Sequence, residues 1–589
     1  MTVPTTTVSF DPIRFSKSME RIAESSQKLV IEFLTQTPDL SLPGMADANA
    51  IGAAFLDLTS KMIADPTAFA KATADLWLRY TTMWQRAEFP IGFGATPTDR
   101  RFKDQAWADN AIFDYIKQTY LISADSILSS VRSVKGLDEK TAHKVDFYTR
   151  QFVDAIAPSN FIATNPEVLR ATIETGGENL LRGLSNLLDD MTRGRGRLAI
   201  TMTDMDAFRL GDNLASTPGK VVGRNDLMEL IQYDPTTPEV RKRPLLIVPP
   251  WINKFYILDL GPEKSFIKWA VAQGHTVFVI SWVNPDARLA NKTFEDYMIE
   301  GPLSALSLIE QATGEREVNA VGYCLGGTLL ASTLSYLSAK MDDRIKSATY
   351  LVTLVDFTNV GDLEVFIDEQ QLSSLEKRMQ MRGYLDAHDM AASFNMLRAN
   401  DLIWSFVVNN YLLGKEPLPF DLLYWNADAT RMPAAMHSFY LRNMYQENRL
   451  VVPGGITLAG IPIDLRRVET PTFILASVED HIAPWRSTYA ATQIYSGSVK
   501  FVLAASGHIA GVVSPPGSKY GHWRNEHLPE QPQAWFDEAK AHKSSWWPDW
   551  DAWISDFSSG NVSPRMPGSG SLRAIENAPG SYVRVRAAE

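Results

Sequence analysis

One short glycine-rich stretch constrains the fold of this chain more than any other part of its sequence. It follows residues 318–321, a mostly apolar run that is typical of a buried strand. It precedes four apolar residues spaced 4, 3 and 4 apart, as on one face of a helix: Leu330, Leu334, Leu337 and Met341. The stretch itself reads Gly322-Tyr323-Cys324-Leu325-Gly326-Gly327. We therefore predict a strand, a sharp turn and a helix, with Cys324 at the apex of the turn.

Cys324 stands where a nucleophile stands in turns of this kind. The turn is so tight that side chains next to the nucleophile would collide, and the flanking glycines remove them. At the start of the following helix, the helix dipole and free backbone N–H groups favour a thiolate. Cys324 is also the only cysteine of the chain, so no internal disulfide can form.

The overall composition excludes several classes of function. A hydrophobic content of 45% and a charged content of 21% are those of an ordinary globular protein, and 589 residues suffice for more than one domain. A net charge of -11 lacks the basic field that broad nucleic-acid binding needs. No signal-peptide pattern and no apolar run approaching the ~18 residues of a membrane span is present. We therefore predict a cytoplasmic protein that has no transmembrane segment and does not bind nucleic acid.

The pattern divides the chain into two parts. Over residues 1–200, apolar residues recur at helical spacing, which predicts a mostly helical N-terminal domain. Examples are Ile22, Leu29 and Phe33, then Phe55, Leu58 and Met62, and a helix over residues 178–191. These apolar stripes form either a helix–helix core or a surface for a second subunit or a lipid-like body.

Residues 201–589 are predicted to form the catalytic domain. Apolar runs alternate there with helical segments, which favours a parallel α/β sheet. The strand candidates are residues 244–250, 276–282, 318–323, 348–356, 472–477 and 499–504, and the helix candidates are 266–272, 294–311 and 329–341. Residues 558–570 are rich in Ser, Gly and Pro and indicate a linker or a frayed segment.

A long insertion interrupts this alternation. Residues at about 357–470 are rich in aromatic side chains and show no regular strand–helix rhythm, and an interval of this length is unlike a bare loop. We predict an inserted cap over the C-terminal edge of the sheet, where ligands of open α/β sheets bind. The alternative is a peripheral subdomain with no role in gating.

A base and an acid follow the nucleophile in the order of an α/β-hydrolase fold. Glu479, Asp480 and His481 follow the strand candidate 472–477, and His508 follows the next one. His508 fits the role of base better than His481. If His481 were the base, no acid would be available at a later strand end.

The identity of the acid stays open at this point. Glu479 and Asp480 are neighbours on an extended segment and point to opposite sides, so spacing alone does not separate them. Asp356, which also follows a strand candidate, is a further competitor.

Two backbone N–H groups are needed to stabilise the oxyanion of an acyl-transfer reaction. Leu325 N–H, directly after the nucleophile, is one candidate. The second is expected from residues 249–254, after the strand candidate 244–250. Pro249 and Pro250 have no N–H, so Trp251 and Ile252 are the candidates, and we predict Ile252.

A cysteine nucleophile indicates covalent acyl chemistry with a thioester. An acyl-cysteine keeps the transfer potential of a thioester substrate, whereas an acyl-serine loses it. A thiol therefore suits an enzyme that takes an acyl group from coenzyme A and passes it to an alcohol. A thiol hydrolase (a thioesterase or esterase) would carry the same residues.

Seven segments together resemble the polyhydroxyalkanoate synthases. They are residues 249–259, 281–286, 322–327, 419–426, 479–485, 506–511 and 545–548. The resemblance runs from about residue 100 to the C-terminus and is greatest to the single-subunit class I enzymes.

This resemblance implies an α/β-hydrolase fold with an inserted cap, preceded by a helical N-terminal domain. It implies polymerisation of (R)-3-hydroxyacyl-CoA, chiefly 3-hydroxybutyryl-CoA, with release of CoA. Cys324 would be the acylated nucleophile, His508 the base and Asp480 its carboxylate partner, with His481 supporting the site. A homodimer on polymer granules is implied, with granule-associated proteins such as phasins as candidate partners.

The single cysteine limits how such a polymer can grow. The growing polymer cannot pass between two thiols of one subunit, because each subunit has a single cysteine. Elongation therefore uses either the Cys324 of a second subunit or a non-covalent chain. No metal-ligand motif is present, and we predict no metal and no cofactor besides the CoA of the substrate. The alternatives to a polymerase are a cysteine hydrolase and an inactive granule-binding protein.

Overall fold

A computed structural model describes residues 17–18, 20–21, 46–87, 99–195 and 197–587. The chain divides into two compact units. One contains the residues up to Asp204 together with Ala392–Pro419, and the other contains Met205–Ala391 and Phe420–Glu589. The predicted helical set Ile22, Leu29 and Phe33 lies outside the described residues.

The first unit is helical, and short polar side chains begin its helices. Asp47, Asn110, Asp138 and Asn165 each accept hydrogen bonds from backbone N–H groups of the first turn, as N-cap residues do. The longer helices are Ala48–Ala64, Pro66–Ala87, Ala111–Ser133, Glu139–Ala155, Pro166–Thr175 and Glu178–Arg193. The helix expected over residues 178–191 is confirmed.

Residues 392–419 fall inside the predicted cap but group with this helical unit. The Tyr411 hydroxyl donates to Asp190 at 2.6 Å, and the Asn179 amide donates to the Leu412 carbonyl at 2.8 Å. Gly183 permits this approach, because a Cβ there would lie 1.9 Å from the Tyr411 carbonyl oxygen. The predicted domain boundaries stay predictions.

The second unit is built on an eleven-stranded sheet. Its strands are β1 (Gly219–Arg224), β2 (Met228–Tyr233), β3 (Leu245–Val248), β4 (Val277–Trp282), β5 (Val318–Tyr323), β6 (Ile345–Leu351), β7 (Thr472–Ser477), β8 (Val499–Ala504), β9 (His522–Arg524), β10 (Lys540–His542) and β11 (Glu576–Asn577). The order across the sheet is β10-β9-β8-β7-β6-β5-β3-β4-β2-β1-β11. Strands β3 to β8 pair in parallel, whereas the strands that flank them pair antiparallel.

The sequence pattern located the parallel strands, and three of them match the predicted bounds: β5, β7 and β8. The strand expected at residues 348–356 is displaced, because β6 ends at Leu351 and Val352 takes a positive φ of 44°. The apolar run continues past the strand because Leu354 and Val355 are buried in the following loop. The antiparallel flanks were not predicted.

Helices and short turns of the second unit connect these strands and form the insertion. They include Phe266–Ala272, Phe294–Met298, Ser304–Thr313, Leu325–Ala339, Glu369–Arg382, Asp421–Ala427, Ala434–Tyr440, Leu441–Gln446, Trp485–Tyr489, Pro532–Glu538 and Trp547–Ser555. The helix predicted over residues 294–311 is interrupted at Ile299–Leu303. There Gly301 leaves helical geometry and Pro302 lacks an N–H donor.

The C-terminal segment is more ordered than its composition predicts. The Ser-, Gly- and Pro-rich linker expected at residues 558–570 is wrong, because Asn561–Val562 pairs with Val240–Arg241. Three tryptophans before it, Trp546, Trp547 and Trp550, are buried in the core, where the Trp550 indole donates to the Thr349 hydroxyl at 2.9 Å.

The helix that follows Cys324 lies directly against the neighbouring strand ends. A Cβ on Gly326 would lie 2.1 Å from the Val248 carbonyl oxygen, and one on Gly322 would lie 2.4 Å from Gly327 Cα. Both clashes are with backbone, which cannot rotate away as a flexible side chain can. The glycines of the turn therefore set the distance between helix and sheet.

In the part of the chain that the structure describes, no helix combines the length and apolarity needed to cross a membrane.

We predict that Gly326→Ala lowers the free energy of unfolding by about 1–3 kcal/mol, because the added methyl group overlaps the backbone of β3 and the loop after it. Thermal unfolding of the full chain measures this change. Gly261→Ala is the matched control, since no atom lies within 4 Å of a Cβ at that position. An unchanged melting temperature for Gly326→Ala would contradict the packing described here.

Candidate active site

Cys324 lies between β5 and the helix Leu325–Ala339 in a strained backbone conformation. Its φ is 51° and its ψ is -122°, a region that residues with a side chain rarely adopt. The surrounding backbone holds it there: Cys324 N–H donates to the Leu351 carbonyl at 2.9 Å, and its own carbonyl accepts from Gly327 N–H at 2.9 Å. The side chain is partly exposed. The predicted strand, turn and helix around Cys324 are confirmed.

His508 and Asp480 lie together after the neighbouring strands β8 and β7. His508 Nδ1 and Asp480 Oδ2 are 2.7 Å apart, and both side chains are buried. The other carboxylate oxygen, Oδ1, accepts from the backbone N–H groups of Ile482 and Ala483, each at 2.8 Å. These two bonds fix the carboxylate against the ring.

The geometry also separates Asp480 from its competitors. Glu479 is exposed and turns away, while its N–H donates to the Ser506 carbonyl at 2.9 Å. Asp356 accepts from the Thr358 hydroxyl at 2.6 Å and from the Asn448 amide at 2.8 Å, so it orders its own loop. The structure thus brings Asp480 and no other predicted acid to His508.

Charges around His508 change its protonation. Burial lowers the pKa of the ring, but the Asp480 carboxylate and the Cys324 sulfur outweigh burial and raise the pKa to about 10. Because Nδ1 is bonded to Asp480, Nε2 is the nitrogen left for Cys324. The Tyr323 ring stacks on His508 with a centroid distance of 5.9 Å and keeps the ring in place.

The loop after β3, residues 249–254, is the predicted source of the second oxyanion donor, and we call it the oxyanion loop. Trp251 is buried and its ring packs on Tyr297 at 4.6 Å. Within the described residues, the N–H groups of Ile252 and Leu325 donate to no acceptor of the chain. Leu325 directly follows Cys324, so its free N–H is adjacent to the nucleophile, as an oxyanion donor must be. The Trp251 N–H is equally free among the described residues, so the hydrogen bonds do not choose between Trp251 and Ile252. The assignment of Leu325 and Ile252 stays a prediction.

Several neighbours of the site were not identified from the sequence. Tyr440 and Tyr445, from the insertion, have ring centroids 5.3 Å apart. Burial raises the pKa of Tyr440, and Tyr445 and the Cys324 sulfur raise it further, which places this pair near the nucleophile. Isolated tyrosines in an aromatic-rich insertion carry no spacing signal that would have indicated this position.

His481 is half-buried beside Asp480, and its predicted supporting role is untested.

Among the described residues, no group of three or more His, Cys, Asp or Glu side chains is arranged to hold a metal ion. The absence of a cofactor stays a prediction.

A parallel α/β sheet with Cys324 on a strained turn and a His508–Asp480 pair on the loops after two neighbouring strands is the arrangement of the α/β-hydrolase fold. A family model described as the alpha/beta hydrolase fold matches residues 249–515. A second model, described as the N-terminus of poly-beta-hydroxybutyrate polymerase (PhaC), matches residues 98–270. The expected fold class is confirmed.

Named relatives extend this similarity over most of the chain. The poly(3-hydroxyalkanoate) polymerase of Methylorubrum extorquens is 50% identical over 559 residues, which cover 93% of this chain and 92% of the relative. The PhaC polymerase subunit of Rhizobium meliloti (strain 1021) is 51% identical over 533 residues, covering 89% and 87%. The PhaC subunit of Cupriavidus necator is 42% identical over 552 residues, covering 92% and 93%. The chain belongs to the poly(3-hydroxyalkanoate) polymerase family and is an acyltransferase.

We predict that Asp480→Asn changes the pH dependence of stability. With a pKa of 6.5 unfolded and about 10 folded, protonated His508 stabilises the fold fully below pH 6.5 and loses this effect as the pH rises toward 10. Without the carboxylate, only the Cys324 sulfur opposes burial, so the pKa of His508 falls and the stabilisation is reduced. The melting-temperature gap between wild type and variant should therefore be largest near about pH 6 and shrink toward about pH 10.

Glu479→Gln is the control, since it removes the adjacent but exposed carboxylate. It should leave no pH-dependent gap. A gap for Asp480→Asn that stays constant across this pH range would contradict the charge pairing.

Proposed function

We propose that this chain polymerises (R)-3-hydroxyacyl-CoA, chiefly 3-hydroxybutyryl-CoA, into polyhydroxyalkanoate through a covalent acyl-Cys324 thioester. One observation carries the proposal: in a family of poly(3-hydroxyalkanoate) polymerases, the single cysteine of this chain stands on a nucleophile turn beside a buried His508–Asp480 pair. The names of the relatives support the polymer as product.

Acylation of Cys324 is the first chemical step. His508 holds the proton of the Cys324 thiol, in line with its raised pKa, Sγ attacks the thioester carbonyl, and the negative charge develops on the carbonyl oxygen, which Leu325 N–H and Ile252 N–H stabilise. The intermediate then collapses, the bond to the CoA sulfur breaks, and His508 returns the proton to the leaving thiolate. Asp480 stabilises the imidazolium until that proton is returned, which agrees with the raised pKa of His508.

Elongation is an exchange of a thioester for an ester. The 3-hydroxyl group of a further hydroxyacyl unit loses its proton to His508 and attacks the acyl-Cys324 carbonyl, and Cys324 leaves as the thiolate. Because one thioester replaces another in the first step, the energy of the CoA bond is kept until the ester forms. Two routes fit a chain with one cysteine: the second unit is carried by another subunit's thiol, or it enters as a non-covalent CoA-bound chain.

We further propose that the protein acts in the cytoplasm as a homodimer on polymer granules, with granule-associated proteins such as phasins as neighbours. Large apolar side chains exposed on the helical unit support an apolar contact: Leu56, Ile63, Trp77, Leu78 and Ile112. Light scattering with and without substrate tests the dimer, and a monomer in both states would remove it.

We predict that Cys324→Ala abolishes CoA release from (R)-3-hydroxybutyryl-CoA, because no other thiol can accept the acyl group. His508→Ala should lower the rate by at least about 100-fold, because the base is lost. Release of free CoA and the nature of the product are measured together. His527→Ala is the control, since His527 lies beyond the site in the loop after β9.

The product decides between functions. Insoluble polyester supports the proposal, whereas free 3-hydroxybutyrate alone would show a hydrolase. Full CoA release by Cys324→Ala would remove the nucleophile assignment.

A further inference from the structure

The oxyanion loop is held by a segment of the insertion that the catalytic order of the sequence does not reveal. This clamp segment comprises residues 425–430, at the end of the helix Asp421–Ala427 and just after it. It contacts the loop at several points through side chains. The Trp425 indole donates to the Lys254 carbonyl at 2.7 Å, and the Asn253 amide donates to the Trp425 carbonyl at 3.4 Å.

A buried ion pair adds a charged contact between the clamp segment and the loop. Lys254 Nζ donates to Asp428 Oδ1 at 2.6 Å, and the two side chains are only 3% and 2% exposed. The Tyr256 hydroxyl donates to Asp428 Oδ2 at 2.9 Å, so both carboxylate oxygens are used. Two charges withdrawn from water in this way are stable only when they remain paired. The pair therefore keeps Asp428, and the residues after it, pressed onto the loop.

Thr430 is the residue of the clamp segment that contacts the backbone around the predicted oxyanion donor, the Ile252 N–H. Its hydroxyl donates to the carbonyls of Trp251 and Ile252, the second at 2.8 Å, and its N–H donates to the Ile252 carbonyl at 3.2 Å. The Trp251 carbonyl and the Ile252 N–H belong to one planar trans peptide group and point in opposite directions. Fixing that carbonyl therefore fixes the direction of the Ile252 N–H.

We propose that Lys254, Asp428 and Thr430 are positioning residues that orient the Ile252 N–H toward the developing oxyanion on the acyl group. This inference rests on the proposed function, because an oxyanion forms only in acyl transfer. The ion pair holds the clamp segment in place, and Thr430 passes that constraint to the peptide between Trp251 and Ile252. In this proposal all three act through the loop and not on the reacting atoms themselves.

Two reactions of Cys324 separate positioning from collapse of the site. Acylation passes through an oxyanion, whereas alkylation by iodoacetamide is a displacement at carbon that forms none. Both need the same thiolate and the same His508. A defect in the loop alone should therefore slow acylation and leave alkylation unchanged.

The experiment compares Thr430→Val, Lys254→Met and Asp428→Asn in the full chain. We expect each to slow acylation by (R)-3-hydroxybutyryl-CoA by about 10-fold or more, since one oxyanion donor contributes about 100- to 1,000-fold. Iodoacetamide alkylation should stay within about two-fold of wild type. Thr430→Val keeps the side-chain volume and removes no charge, so it preserves the fold, and Thr430→Ser should restore acylation.

The matched control is Lys264→Met. Lys264 pairs with Asp421 at 2.7 Å at the other end of the same helix, but the lysine is 44% exposed and the pair does not contact the oxyanion loop. This variant should acylate at the wild-type rate.

The outcomes are distinct. Equal loss of acylation and alkylation would overturn the proposal, because it shows collapse of the site. Unchanged acylation in Thr430→Val and Lys254→Met would also overturn it.

Parallel measurements with p-nitrophenyl butyrate separate failure of this proposal from failure of the proposed function. A wild type that is acylated by this ester but not by the CoA thioester would contradict the proposed function, and the ester would still test the loop. A wild type acylated by neither would overturn both.

Discussion

The strained turn at Cys324 is the constraint on which the rest of the site depends. A non-glycine residue held at a φ of 51° costs about 1–3 kcal/mol and persists only where its surroundings fix it. Here the Leu351 carbonyl binds Cys324 N–H, and Gly326 brings the helix against the Val248 carbonyl. The spacing of three parallel strands, β3, β5 and β6, thereby sets the place of the sulfur and of the adjacent Leu325 N–H.

The two sides of the reacting carbonyl are organised by different parts of the chain. On the proton-transfer side, His508 and Asp480 come from the ends of β8 and β7, so the sheet itself aligns them. On the oxyanion side, the loop after β3 is bound by the insertion, through Lys254, Asp428 and Thr430. The insertion therefore contacts the loop that contains Ile252, the predicted backbone donor.

The sequence predicted the parts of this arrangement that have a local signal. Strands β5 and β7 are continuous buried runs, and β8 is buried from Phe501 to Ala504. The turn has its glycines, and Cys324, Asp480 and His508 follow one another in the chain order of this fold. Spacing alone left Asp480 and Glu479 open, the family resemblance implied Asp480, and the coordinates show Asp480 bonded to the His508 ring. The end of β6, the antiparallel flanks and the contact between Thr430 and Ile252 depend on residues far apart in sequence, for which periodicity carries no information.

The most direct test of the covalent mechanism is to find the acyl group on the protein. The chain is mixed with (R)-3-hydroxybutyryl-CoA, quenched within the first turnover, digested and mapped by mass spectrometry. The mechanism predicts hydroxybutyryl units on the peptide that contains Cys324, in a linkage that neutral hydroxylamine cleaves as a thioester. Release of CoA with an unmodified Cys324, or an acyl group bound stably to another residue, would contradict it.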